Sequence, residues 1–195
     1  MDISRVFQHL YLVAMSSLFS TIVGLFLGVI VYMFKPTRKL LLWLVDVLQT
    51  IPVLALLGTI MLIFGASSTT VIIGLVLYSL LPVVRNTYAG LNNIDPGIKE
   101  AAIGMGMTKL QRLFKVELAL AFPMIFTGIR IAVVTSIGSA VFGAVVGGGG
   151  LGSTINRAIL IQDMNTLIQA TVTLMAMALV FDVGMGYVEK RLKAR

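Results

Sequence analysis

Residues 99–123 read KEAAIGMGMTKLQRLFKVELALAFP, the longest polar interruption in an otherwise apolar chain and the one place where charge recurs at helical spacing. Asp95-Pro96 supplies an N-cap followed by proline at the first helical position, which starts a short helix through Glu100-Ala101-Ala102. Gly104 and Gly106 are expected to break that helix, because glycine relaxes the backbone without steric cost. Thr108-Lys-Leu-Gln111 has the form of a capping box and opens a second helix. On it Leu110, Leu113, Phe114 and Val116 share one side, while Lys109, Arg112 and Lys115 take the other. Two amphipathic helices bent at a glycine elbow are too short to cross a bilayer. They form either a docking element or a loop resting on the membrane surface.

The surroundings of this stretch are those of an integral membrane protein. Of 195 residues, 58% are hydrophobic and 12% charged, against roughly 25% charged in soluble domains. The mean hydropathy is +1.00. The chain has no cysteine, which removes disulfides and thiolate metal sites, and its one histidine is His9 near the N-terminus. No metal ligand set is expected. The net charge of +7 would suit nucleic acid, but its placement along the chain marks membrane topology instead.

Five spans follow from the apolar runs, making 1–195 a single all-α transmembrane domain. Residues 10–34 carry no charge for 25 positions, more than the ~20 a crossing needs and longer than the ~7–15 of a cleavable signal core. Residues 40–64 form the second span, which contains Asp46 and is interrupted by Pro52. The third covers 70–88, running past Arg85. The docking stretch occupies 95–119. Residues 118–146 are too many for one straight span, so the fourth is placed at 122–146 with its first turns at the interface. Residues 153–165 read as a connector, 166–188 as the fifth span, and a basic tail ends the chain.

Orientation comes from the distribution of Lys and Arg. With the docking stretch inside the cell, the turn at Lys35, Arg38 and Lys39, then Arg85, then the bases of the docking stretch and of the tail all lie on the cytoplasmic side. Arg5 and Arg157 alone lie outside, and Arg130 falls within a span. The N-terminus is therefore expected outside and the C-terminus in the cytoplasm.

The docking stretch resembles the EAA loop of the permeases of ATP-binding-cassette (ABC) importers. That pattern is Glu-Ala-Ala, a glycine four positions later, then Ile-x-Leu-Pro. Glu100, Ala101, Ala102, Gly106, Val116 and Leu118 stand in register. Val116 replaces Ile, and Ala119 stands where the family has proline, so the helix is expected to run on toward Pro123. Further stretches, LQTIPVLALLG at 48–58, YSLLPVVRNTY at 78–88, GMGMT at 104–108 and GGGGLG at 147–152, resemble the osmoprotectant subfamily, permeases for glycine betaine, carnitine and choline.

The resemblance implies a binding-protein-dependent type I importer in a prokaryotic plasma or inner membrane. In it Glu100, Ala101, Ala102, Gly104, Gly106, Thr108, Lys109 and Leu113 couple to a cytoplasmic ABC ATPase, which holds the ATP-Mg. By the same resemblance this chain itself is expected to bind no cofactor and not to be an enzyme. It also implies a second permease subunit, identical or a paralogue, an external substrate-binding protein and no nucleic acid. Quaternary ammonium recognition usually needs an aromatic cage. Trp43, the one tryptophan, is expected to anchor at an interface, so the cage is assigned to the binding protein.

Gln49, Thr50, Pro52, Tyr78, Pro82, Asn86, Gly149 and Gly150 are candidates for the translocation path or its gates. Pro52 removes a backbone donor within the membrane, and reads as a gate beside the path or as a packed kink. The glycine run reads as an outer gate, as a binding-protein contact or as a tight turn between close backbones. Asp46, Arg130 and Asp182 lie within spans, where charge is costly. They are expected to pair in one cluster toward the cytoplasmic ends, either as a latch or as a static pair.

Other classes fit less well. A membrane enzyme needs a nucleophile with its base or a metal cluster, and the acidic residues here are scattered singly. A secondary carrier shows internal repeats, and none is visible. Gly147–Gly152 lacks the Lys-Ser/Thr of a phosphate-binding loop. The remaining competitor is an ABC permease for another solute, such as methionine, a sulfonate or ergothioneine.

Overall fold

The computed structural model describes residues 2–194; Met1 and Arg195, the last cation of the basic tail, lie outside them. The described residues form helices joined by short turns, without strands. Helix α1 (Ile3–Met33) opens on the side chain of Asp2, which accepts from the Ser4 amide. Helices α2 (Lys35–Thr50) and α3 (Val53–Phe64) meet at Pro52 and are bent by 100°. Helices α4 (Ser68–Tyr78) and α5 (Leu80–Asn92) adjoin at Ser79. Next come α6 (Pro96–Gly104), α7 (Lys109–Arg112), a π turn (Leu113–Glu117), α8 (Leu118–Ser139), a 3₁₀ segment (Ala140–Val146), α9 (Gly150–Leu160) and α10 (Met164–Lys193).

Four helical stretches are long and apolar enough to cross a membrane: Ile3–Met33, Ser68–Asn92, Lys109–Val146 and Met164–Lys193. The bent pair α2 and α3 makes a fifth if counted as one broken span. The second expected span therefore differs from a simple kinked rod. Pro52 cannot donate to the carbonyl four residues back, and α3, at about 18 Å for its 12 residues, is too short to cross alone. Residues 153–165 also depart from the expected connector, because most of them belong to α9.

Helix α5 is gripped between α1 and α8 through small residues. A Cβ added at Gly24 of α1 would lie 2.6 Å from Val83 Cβ, and one at Gly28 would lie 2.5 Å from Thr87 Cβ. On the other flank, a Cβ at Gly128 of α8 would meet the Pro82 carbonyl at 2.5 Å. In a membrane such close backbone approach supplies the dispersion contacts that a hydrophobic effect between helices does not. One apolar core gathers Leu12, Leu57, Val71, Leu75, Val133 and Ile137, and a second, at the far end of α1, gathers Leu91, Ile94, Leu113, Ala121 and Ile125.

Candidate functional site

At the docking stretch, Asp95 caps α6 by accepting from the Gly97 amide at 2.6 Å, with Pro96 at the first helical position. The helix ends in a Schellman pattern: the Gly106 amide donates to the Ile103 carbonyl at 2.9 Å and the Met107 amide to that of Ala102 at 3.2 Å. Gly106 has φ +79°, the left-handed value that motif requires. Gly104, expected to share in the break, remains helical. Thr108 and Gln111 form the capping box in both directions, Thr108 amide to Gln111 Oε1 at 2.9 Å and Gln111 amide to Thr108 Oγ1 at 3.3 Å.

The apolar side anticipated for Leu110, Leu113, Phe114 and Val116 divides. Helix α7 is only one turn long before the π turn changes the period. Leu113 is buried in the core beside Leu91 and Ala121, whereas Leu110 and Phe114 point outward with Ile103 and Met105. Ala101, Glu100, Thr108 and Lys109 are exposed and Ala102 is buried. Glu100 makes no ion pair or hydrogen bond among the described residues. Lys99 is tied back: its Nζ donates to the Leu91 carbonyl at 3.0 Å and lies 5.3 Å from the centre of the Tyr32 ring.

Behind the stretch lies a pair that sequence reading passed over. Glu117, only 1% exposed, accepts from Arg112 Nε at 2.6 Å. The pair closes the π turn that joins α7 to α8. From there α8 continues without a break through Ala119 and through Pro123 to Ser139; Thr127 Oγ1 donates to the Pro123 carbonyl at 3.1 Å.

At the opposite end of α1 the glycine run forms a tight loop, with positive φ at Gly147, Gly149 and Gly150. Gln8 threads it: its Oε1 accepts from the Gly150 amide at 2.9 Å and its Nε2 donates to the Gly148 carbonyl at 3.3 Å. The neighbouring His9 is fully buried, and its Nε2 donates to the Ile137 carbonyl at 3.0 Å, just before α8 tightens to 3₁₀. A Cβ on Gly152 would collide with the backbone of Val141.

Among the other gate candidates, Asn86 Nδ2 donates to the Pro82 carbonyl at 2.8 Å, and Thr50 Oγ1 to the Val47 carbonyl at 2.8 Å. Pro82 lies in the first turn of α5, where it has no amide to donate to the carbonyl four residues back, that of Tyr78 at the end of α4. Gln49 and Thr50 end α2 at the Pro52 bend.

The expected cluster of Asp46, Arg130 and Asp182 is corrected to two separate sites. Asp46 on α2 is held by Arg85 of α5 through Nε at 3.0 Å and Nη2 at 2.7 Å to both carboxylate oxygens. Arg130 of α8 bridges two carboxylates of α10, with Nε to Asp182 Oδ1 at 2.9 Å and Nη1 to Glu189 Oε2 at 2.9 Å. Glu189 also accepts from Thr127 at 2.7 Å and Lys193 at 2.6 Å. The guanidinium lies over Gly186, where an added Cβ would come within 3.0 Å of its central carbon. Asp46 thus takes Arg85 as its partner in place of Arg130, whereas the expected Arg130–Asp182 pair forms and takes in Glu189 as well.

The family profile of binding-protein-dependent transport system inner membrane components matches residues 20–194. The chain belongs to this permease family. It is 39% identical over 186 residues to the carnitine transport permease protein OpuCD of Listeria monocytogenes, covering 95% of this chain and 83% of the relative. It is 39% identical to the glycine betaine/carnitine/choline transport system permease protein OpuCD of Bacillus subtilis, covering 95% and 82%. The osmoprotectant import permease protein OsmW of Salmonella typhimurium is 40% identical, with 92% and 86% covered. An inward-facing structure of the MetNI methionine ABC transporter shares the fold at TM-score 0.88 and 23% identity, covering 97% of this chain and 95% of that one.

Within the permease family frame, the residues missed in the sequence are Glu117, Glu189 and Gln8. Glu189 opens the basic tail that follows residues 166–188. A signal for it existed: Val172, Met175, Leu179, Asp182, Gly186 and Glu189 alternate at three and four residues, the spacing of one helix face.

Proposed function

We propose that this permease is the membrane subunit of an ATP-driven importer that passes a quaternary-amine osmoprotectant, of the glycine betaine, carnitine or choline type, from an external binding protein into the cytoplasm. The observation that carries the reading is the identity near 39% along 95% of the chain to permeases named for those solutes. The likeness to the methionine transporter supports the fold alone. A cytoplasmic ATPase holds ATP-Mg and receives the exposed face of Ile103, Met105, Leu110 and Phe114, with Glu100 free to pair across that contact. Glu100, Ala101, Ala102, Gly104, Gly106, Thr108, Lys109 and Leu113 act as the coupling element. A second permease subunit completes the path, and the Gln8-strapped glycine loop and the Pro52 bend act as its gates. Asp46, Arg130 and Asp182 hold the spans in register through the two ion-pair sites.

The test is uptake of radiolabelled glycine betaine, choline and carnitine in cells expressing the whole operon, with and without this chain. Loss of uptake of one of them without the chain, and in an ATPase-dead operon, is expected. Unchanged uptake of all three would refute the substrate. Gly106→Arg is expected to abolish uptake while the external protein still binds its solute; normal uptake in that variant would refute the coupling assignment.

A further inference from the structure

At the end of α1 remote from the docking stretch lies a cup of about 420 Å³. The first turn of α1 lines it with Asp2 and Arg5, α9 with Ser153 and Arg157, and the start of α10 with Asp163 and Thr166. Arg5 and Arg157 are the two basic residues that the charge distribution leaves on the outer side. They come from opposite ends of the chain, and the fold brings both into this one recess.

The four charged side chains of the cup are not equally engaged. Both oxygens of Asp2 accept hydrogen bonds, Oδ1 from the Ser4 amide at 2.9 Å and Oδ2 from the Ser4 hydroxyl at 2.7 Å. Asp163 accepts from the Thr166 amide at 3.1 Å. Each carboxylate thereby caps a helix and faces the positive end of its dipole. The two arginines are exposed, and neither forms an ion pair among the described residues. Arg157 has no hydrogen-bond partner among them either, and Arg5 has one, the neutral amide oxygen of Gln8, to which its Nη1 donates at 3.2 Å. A guanidinium carries five N–H donors in a planar fork that matches a carboxylate. The formal charges of the cup balance, but its unused hydrogen-bonding groups are donors, and they belong to the two cations.

Two features of its position say what fits there. The cup lies at the ends of α1 and α10 rather than along their flanks, which favours a partner arriving from the water over a lipid headgroup. It also adjoins the glycine loop: the Gln8 oxygen that receives Arg5 receives the Gly150 amide at 2.9 Å as well, and Gly150 opens the helix that carries Arg157. We propose that the cup seats an acidic side chain of the external binding protein, its carboxylate held by Arg157 and Arg5, so that this protein docks against the glycine loop. The inference rests on the importer reading above and adds which residues make the outer contact and what charge the partner presents to them.

The test uses the full importer in lipid vesicles, with ATP hydrolysis followed as purified, solute-loaded binding protein of the same operon is added. Arg157→Gln is expected to raise the half-saturating concentration of binding protein about tenfold, the worth of one charge-assisted hydrogen bond. Excess binding protein should make good the loss, and Arg157→Lys, which keeps the charge, should lose less. Added salt should weaken wild-type docking more than docking to Arg157→Gln. Asparagine caps a helix as well as aspartate does, so Asp163→Asn, which removes a like charge from the partner's path, should lower the half-saturating concentration. Should Arg157→Gln fail to assemble, Ser153→Asp decides: a new carboxylate in the cup should weaken docking to a similar extent. A half-saturating concentration unchanged in Arg157→Gln or in Ser153→Asp would overturn the proposal. So would the reverse pattern, tighter docking in Arg157→Gln and weaker in Asp163→Asn, which would mean a basic partner. An effect of Arg157→Gln that appears only in vesicles containing phosphatidylglycerol would put a lipid headgroup in the cup and overturn it too. A wild-type importer whose ATPase ignores the binding protein defeats the importer reading itself, whereas stimulation indifferent to every cup variant defeats the cup alone.

Discussion

At Gly106 a Cβ would meet no neighbour within 4 Å, yet the backbone sits at φ +79°, where an L side chain costs roughly 1–2 kcal/mol. Two positions earlier Gly104 is equally open but helical, and alanine there gains roughly 0.5–1 kcal/mol of helix propensity. Gly106→Ala should therefore lower transport per ATP hydrolysed more than Gly104→Ala does, and Gly104→Ala should melt higher; paired uptake and ATPase assays with melting curves separate the two. Glu117 argues differently. Removing it strands the guanidinium of Arg112, itself only 19% exposed, and breaking such a pair costs about 3 kcal/mol. Glu117→Ala should lower the melting temperature of the purified complex strongly, and the double variant with Arg112→Ala should cost less than the two single losses added together. Additive losses would mean that the pair does not hold the π turn.

Among the elements, the start of α10 is fixed by Asp163, whose carboxylate accepts from the Thr166 amide at 3.1 Å. Hydrogen bonds from Thr166 hold its pKa below the ordinary 3.8. A depressed carboxylate stabilises the fold above the ordinary value and loses that contribution as pH falls through its own lower one. Amide exchange at the first turn of α10 should thus stay slow down to about pH 4 and quicken below it, and in Asp163→Ala it should be fast throughout. The glycine loop is strapped by Gln8, so Gln8→Leu, which removes the bonds to Gly148 and Gly150 at about 1 kcal/mol each, should raise exchange at the Gly150 amide and leave α5 unaffected.

Much at this scale was legible beforehand. Run lengths located the four long helices, and Asp95-Pro96 and Thr108-x-x-Gln111 located the caps, because these signals are local. Three features were not. Proline marks an interruption but carries no angle, so the 100° turn at Pro52 could not be read from it. Helix α9 is masked by its glycine-rich start and by Ser153, Thr154 and Asn156, although Leu151, Ile155 and Ala158 stand at helical spacing. The partner of an intramembrane charge depends on which helices meet, and so Arg85 and Glu189 emerged only with the fold.

Across the whole molecule, the two ion-pair sites tie different helices: Asp46–Arg85 joins α2 to α5, and Arg130 joins α8 to α10. Asp46→Asn and Arg130→Gln share no partner, so their effects on stability should add within about 0.5 kcal/mol. Coupling beyond that in thermal unfolding would mean that the sites belong to one network after all. Arg130→Gln should be the costlier, since it leaves both Asp182 and the nearly buried Glu189 with one partner fewer, whereas Arg85 is 58% exposed. The π turn at Leu113–Glu117 has a consequence for the same architecture. It is in effect a helix carrying one surplus residue, and at 3.6 residues per turn each residue is worth about 100° of rotation. Slack of this kind would give the segment before it room to twist against α8 by a fraction of a turn with the helix still continuous, as a universal joint passes torque between shafts that need not stay aligned.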